Sequence, residues 1–132
     1  MMINDTQDVI LKDVLQASYL KKIAEKEKPD LIVMAGDLLT DFFPGANKAQ
    51  LKKCLTQALD GVNALGVPFV ATFGNHDHDW EEIFPLEEQM EVYKSYSNCA
   101  IVNNGCVVGT YYIPVKSSAG KKVPLNLYVM ET

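Results

Sequence analysis

Apolar and polar positions along this 132-residue chain follow two periods, and the alternation between them predicts the fold. Over residues 11–28, Leu11, Val14, Leu15, Tyr19, Leu20 and Ile23 recur at helical spacing. Lys21, Lys22, Glu25 and Lys26 take the other face, so an amphipathic helix is expected, stopped by Pro29. A second stripe, Leu51, Leu55, Ala58, Leu59 and Val62, predicts a helix over residues 46–65 with Gly66 as its C-terminal cap. Leu86, Met90 and Tyr93 share one face of a third, over residues 86–96. Between these helices the pattern changes to short continuous apolar runs, residues 1–4, 30–35 and 68–73, which read as buried strands. Strand, helix, strand, helix, strand with short connections means a parallel βαβαβ unit with right-handed crossovers.

The last third changes character. Residues 100–102, 106–115 and 125–130 are β-rich runs separated by Asn103-Asn104-Gly105 and by the Ser/Gly/Lys segment 117–122, turn signals that predict an antiparallel hairpin or meander. The expected class is therefore α/β: a parallel βαβαβ unit plus C-terminal antiparallel strands, in one domain over residues 1–132. A hydrophobic content of 48% at this length is enough to bury a core.

Charge narrows the partners. Twelve Lys and Arg against 17 Asp and Glu leave a formal charge of -5, which excludes an electrostatic nucleic-acid binder, since phosphate backbones need clustered cations. The opening residues have no basic stretch followed by an apolar core, and no apolar run approaches a membrane span, so a cytoplasmic chain with no membrane partner is expected. Cys54, Cys99 and Cys106 are odd in number and lack C-x-x-C spacing, as expected of free thiols in a reducing compartment. Neither G-x-G-x-x-G nor G-x-x-x-x-G-K-[ST] occurs, which disfavours a nucleotide-binding module.

Two of the strand-like runs end alike: Asp30 to Ala35 leads into Gly36-Asp37, and Pro68 to Phe73 leads into Gly74-Asn75-His76-Asp77. Open parallel sheets place their chemistry at the carboxyl ends of their strands, so this edge gathers Asp5, Asp37 and Asn75 to His76. Oxygen donors from Asp5, Asp37 and Asn75 form a hard-to-borderline set suited to a divalent metal. His76, with an ordinary pKa near 6.5, is the candidate general acid, and Asp77 is expected to accept a hydrogen bond from its imidazole and orient it. No serine or cysteine has a base beside it, so the nucleophile is expected to be metal-activated water. The plainer readings stay open: Asp37 as a solvated strand-end carboxylate, Asn75 as a turn residue, His78 as an exposed loop residue. Trp80 and Phe84 fit either a pocket or the core, and Asp41, Phe42 and Phe43 follow the first block closely enough to border the site.

Gly36-Asp37 and Gly74-Asn75-His76-Asp77 resemble the second and third motif blocks of the calcineurin-like metallophosphoesterases. The lead-ins Glu27-Lys28-Pro29-Asp30-Leu31-Ile32-Val33 and Gly66-Val67-Pro68-Phe69 resemble the branch related to purple acid phosphatases, and the likeness runs from residue 3 to residue 132. The resemblance implies an αββα sandwich of which this chain covers the first half, and hydrolysis of a phosphate mono- or diester. It implies two divalent ions, Mn, Fe or Zn, in the full-length family, with Asp37 bridging them and Asp5 on the first. Asn75 would ligate the second and contact phosphate, with His76 as general acid.

The chain departs from the family at two points. Gln7 stands where the opening block carries histidine, with Asp8 the nearest substitute, and His76 and His78 are the chain's two histidines where the family uses several later ones. Two functions are therefore expected to compete: a metal-dependent phosphoesterase, N-terminal part, and a catalytically incompetent fragment that only binds a divalent metal or phosphate weakly. A domain cut short at its C-terminus would leave sheet uncovered, so self-association is expected; a sharp monomer by light scattering at micromolar concentration would count against it.

Overall fold

A computed structural model describes residues 2–3, 10–39, 45–120 and 122–131, with side chains described from residue 18 onward. Asp5, Gln7 and Asp8, and also Asp41, Phe42 and Phe43, lie outside the described residues.

Three parallel strands, β1 (Met2–Ile3), β2 (Ile32–Met34) and β3 (Phe69–Ala71), form a sheet in that order, with Met2 opposite Val33, and Ile32 and Met34 opposite Phe69 and Ala71. Their connections are the helices α1 (Ile10–Glu27) and α2 (Lys48–Asn63). α1 ends where Lys28 takes a left-handed conformation, φ 46°, immediately before Pro29. Of its expected inner stripe, Leu20 packs against the core but Tyr19 and Ile23 are exposed. α2 starts in a capping box: Gln50 N donates to Asn47 Oδ1 at 3.1 Å and Asn47 N to Gln50 Oε1 at 2.9 Å. Its Leu51, Leu55, Leu59 and Val62 are buried, while Ala58 is half-buried at the edge of the stripe.

Strand alternation divides the core in two. Ile32, Met34, Phe69, Ala71 and Phe73 face α2 and a later helix, α4 (Leu86–Lys94), whose Leu86, Met90 and Tyr93 are buried among them. Val70, with the half-buried Leu31 and Val33, faces the other way, against Tyr111 and Val129 of an antiparallel hairpin, β4 (Tyr111–Val115) and β5 (Leu125–Val129). The result is helices, parallel sheet and hairpin in layers, an α/β arrangement consistent with part of a metallophosphoesterase domain.

Residues 100–102 do not join the antiparallel strands as expected. Phe69 N donates to Asn98 O at 2.9 Å and Ala100 N to Phe69 O at 2.7 Å, so Cys99 pairs in parallel with β3 and extends the first sheet by a rung. Where this rung leaves off, the Tyr111 hydroxyl takes over. It accepts from Ala71 N at 3.1 Å and donates to Ala71 O at 2.6 Å, giving both buried backbone groups a partner. Of residues 106–115, residues 111–115 are strand, and the turn to β5 closes at Ser117 N to Lys122 O, 2.9 Å. The hairpin exposes Val115, Leu125, Tyr128 and Met130, with Tyr112 and Tyr128 in ring contact at 5.9 Å. Trp80 and Phe84 belong to the core. Cys54 and Cys99 are half-buried and Cys106 is exposed, and none of the three forms a disulfide among the described residues.

Candidate functional site

The turns that follow β2 and β3 both carry glycine, Gly36 and Gly74, because the two turns touch. Gly36 has φ 96°, and a Cβ built on it would lie 2.5 Å from the carbonyl carbon of Phe73 and closer still to Gly74 N. A Cβ on Gly74 would run into the Asp37 carboxylate, 2.7 Å from Cγ. The backbone of one strand end therefore occupies the space a side chain on the other would need. Asp37 follows with φ 56°, a left-handed conformation that aspartate tolerates better than most residues and that swings its carboxylate across to β3.

The chain after Gly74 turns at once into one helical turn, α3 (Asn75–His78), rather than continuing as a strand end. This brings His76 N to 3.0 Å from Asp37 Oδ1, so an amide of the third block is hydrogen-bonded to the carboxylate of the second. Asn75 is exposed and His76 half-buried beside that contact. Asp37, Asn75 and His76 thus stand at one sheet edge, as expected from their positions after two adjacent strands.

Asp77 is placed differently from expectation. It is fully buried, and its carboxylate accepts three backbone N–H groups: Asp37 at 2.8 Å and Gly74 at 2.9 Å on Oδ2, and Leu39 at 3.1 Å on Oδ1. Burial raises its pKa above the ordinary aspartate value, and the three amides offset only part of that rise. The carboxylate beside the His76 ring is Asp79 instead, with Oδ2 2.9 Å from Nδ1, because Asp77 points inward from α3 and Asp79, one helical turn beyond His76, points outward with it. Nothing in the local pattern distinguished Asp77 from Asp79; the three amides that occupy Asp77 belong to residues 3 to 40 positions away.

His78 is held between two glutamates. Its Nε2 lies 2.6 Å from Glu131 Oε1 and its Nδ1 3.3 Å from Glu81 Oε2, and Glu131 N donates to Thr110 Oγ1 at 3.1 Å. Burial alone would lower the His78 pKa, but the two carboxylates outweigh it and raise it above its ordinary 6.5. A histidine with a raised folded pKa contributes stability that is fully present below 6.5 and lost as pH rises through the folded value. The wild type should therefore exceed His78→Gln in urea midpoint at about pH 5.5 and lose that margin by about pH 8.5; a margin that does not change with pH would refute the ion pairing.

A cleft of about 280 Å³ opens between Met90, Glu91 and Lys94 of α4 and residues 101–111. It includes none of Asp37, Asn75 and His76, so the candidate chemistry sits at the exposed sheet edge rather than in this cleft. Among the described residues no three His, Cys, Asp or Glu side chains are grouped so as to hold a metal. The donors at the edge fit a hard divalent ion in kind, a carboxylate and a carboxamide from adjacent turns, with one Asp37 oxygen already oriented by His76 N. No helix among the described residues is long and apolar enough to cross a membrane.

Comparison with known proteins identifies the family. The family model for calcineurin-like phosphoesterases matches residues 2–127. "Probable inactive purple acid phosphatase 28" of Arabidopsis thaliana is 29% identical over 75 residues, 57% of this chain and 18% of that protein. "Probable inactive purple acid phosphatase 14" of the same plant is 33% identical over 67 residues, 51% of this chain and 16% of that protein. An uncharacterized protein of Schizosaccharomyces pombe is 26% identical over 73 residues, 55% of this chain and 14% of its own length. Each match thus spans less than a fifth of the relative's length, and no solved structure matches. The family match covers nearly the whole chain and includes both strand-end blocks, so this chain belongs to the calcineurin-like phosphoesterase family.

Proposed function

We propose that this chain carries the N-terminal part of a metal-dependent phosphoesterase site, with Asp37 and Asn75 holding a divalent cation, Mn, Fe or Zn, and Asp5 a further ligand. The observation that carries the reading is the locked pair of strand ends: the hydrogen bond from His76 N to Asp37 Oδ1 couples the two motif blocks, and the Asp77 carboxylate fastens both from beneath. The cation, when bound, supplies Lewis acidity for a water and for a phosphate oxygen. Asn75 donates its carboxamide N–H to a phosphate oxygen and so orients the ester. His76 delivers a proton to the departing oxygen, and Asp79, hydrogen-bonded at Nδ1, holds the ring in orientation for that transfer. Asp77 serves the site as an anchor rather than as a proton-handling group.

A second reading has support of its own. The two plant relatives are named inactive, and the described residues offer fewer than three grouped ligands, so the alternative is weak binding of a divalent cation or phosphate without turnover. The exposed apolar residues of the hairpin support self-association of the chain.

One experiment addresses both readings: hydrolysis of a chromogenic phosphomonoester and phosphodiester with added Mn²⁺, alongside Mn²⁺ binding, for wild type and Asp37→Asn. Asparagine is a mild substitute here, since it accepts the left-handed backbone and can still receive the His76 amide, so the variant removes chiefly charge. The phosphoesterase reading expects turnover that falls at least about a hundredfold in the variant, the size typical of losing a preorganised electrostatic group. Mn²⁺ binding that weakens in the variant, without turnover in either protein, supports the binding-only reading. Turnover or binding equal in the two proteins would sink both.

A further inference from the structure

Gln89 is fully buried on the inward face of α4, surrounded by apolar residues. Its Nε2 donates to two backbone carbonyls, Phe84 at 2.9 Å and Asp77 at 3.2 Å. Its Oε1 has no hydrogen-bond partner among the described residues, and neither has the hydroxyl of Tyr93, one turn further along the same buried face. A carboxamide enclosed with one side unpartnered is a poorer core residue than methionine or leucine of similar size, so helix packing does not account for it. What accounts for it is the pair of carbonyls its N–H groups hold.

One of those carbonyls belongs to Asp77, whose carboxylate in turn receives the amides of Asp37, Leu39 and Gly74. We propose that Gln89 is a positioning residue for the site: by gripping the Asp77 carbonyl from α4 it fixes α3 where the Asp77 carboxylate can hold the Asp37 and Gly74 turns together. The functional meaning of this rests on the phosphoesterase reading above, while the geometry does not. The residue touches none of the reacting groups and acts through Asp77 alone.

Hydrogen exchange by NMR on the 132-residue chain provides the test. In the unmutated protein the Gln89 carboxamide protons should exchange far more slowly than those of the exposed Gln57; equal rates would overturn the proposal. In Gln89→Met, which keeps the volume and removes both donors, the amides of Asp37, Leu39 and Gly74 should exchange at least about ten times faster, with Leu55 and Leu59 in α2 changing less than about threefold. Uniform acceleration at all five, or none at the first three, overturns it. Tyr93→Phe removes the neighbouring hydroxyl and should leave the three amides as in wild type; acceleration there would assign the effect to general core damage and overturn the proposal. Mn²⁺ affinity supplies a separate arm, expected to fall about tenfold in Gln89→Met, with unchanged affinity again overturning it. An unmutated chain that binds no Mn²⁺ counts against the phosphoesterase reading, and the exchange data still decide the role of Gln89.

Discussion

Gly36→Ala is expected to lower the unfolding free energy by about 2–6 kcal/mol, a large share of the roughly 5–15 kcal/mol that holds a small domain together. Two costs add. Alanine at φ 96° is in a strained backbone region, worth about 1–3 kcal/mol. Its Cβ would also meet the backbone of Phe73 and Gly74, and backbone cannot rotate away as a side chain can, so the strand ends must part at an overpacking cost of about 1–3 kcal/mol. Gly66→Ala separates the two effects. Gly66 has φ 68°, but nothing lies within 4 Å of the place its Cβ would take, so only the backbone strain remains, about 1 kcal/mol. Urea denaturation of the two variants measures the difference; equal midpoints would mean that the contact between the strand ends is not tight. Mn²⁺ binding should be lost with Gly36→Ala and kept with Gly66→Ala, because only the former separates Asp37 from the Asn75 turn.

Asp77→Asn comes next in size. The carboxylate accepts N–H groups on both oxygens, and an asparagine has one acceptor oxygen and an NH₂ in place of the other. Whichever way the carboxamide turns, at least one buried amide faces a donor instead of an acceptor. The expected loss is about 2–4 kcal/mol, the cost of an unsatisfied buried group with donor opposed to donor. Asp77→Leu, which offers no acceptor at all, should lose more. The measurement is again the urea midpoint at neutral pH, and a change in Asp77→Asn below about 0.5 kcal/mol, the range of ordinary surface substitutions, would refute the anchor. A residue that merely oriented the His76 ring would leave stability alone and move only the pH profile of turnover, so the two roles give different data.

The parallel unit was legible because its signals are local. Leu51, Leu55 and Leu59 repeat at helical spacing, the runs around Val33 and Val70 are continuous, and Pro29 and Gly66 mark the helix ends. The site edge was legible for a related reason: glycine followed by polar residues after each of two strands places Asp37 and Asn75 together once the strands pair. What the pattern did not contain were choices made across space. Asp77 and Asp79 are two positions apart, and which carboxylate turns inward is decided by amides at positions 37 and 39. Cys99 pairs with β3 rather than with the hairpin because the edge of β3 was open, an opening created by topology and not by residues 98–100 themselves. Gln89 reads from sequence as a polar position on α4, and only the carbonyls it meets explain its burial.

The Tyr111 hydroxyl on Ala71 has a consequence for how this sheet can grow. A strand that ends with its N–H and C=O unoccupied is a template for any extended peptide, whether a binding partner or a neighbouring copy in an aggregate. Here those two groups are already taken by a phenol delivered from the hairpin, which behaves as a plug one residue long. β-augmentation is thereby blocked on this side of β3 beyond residue 100, next to the site, and the Asn104 carboxamide, accepting from Tyr112 N at 3.0 Å and donating to Tyr112 O at 2.8 Å, occupies the outer edge of β4 in the same manner.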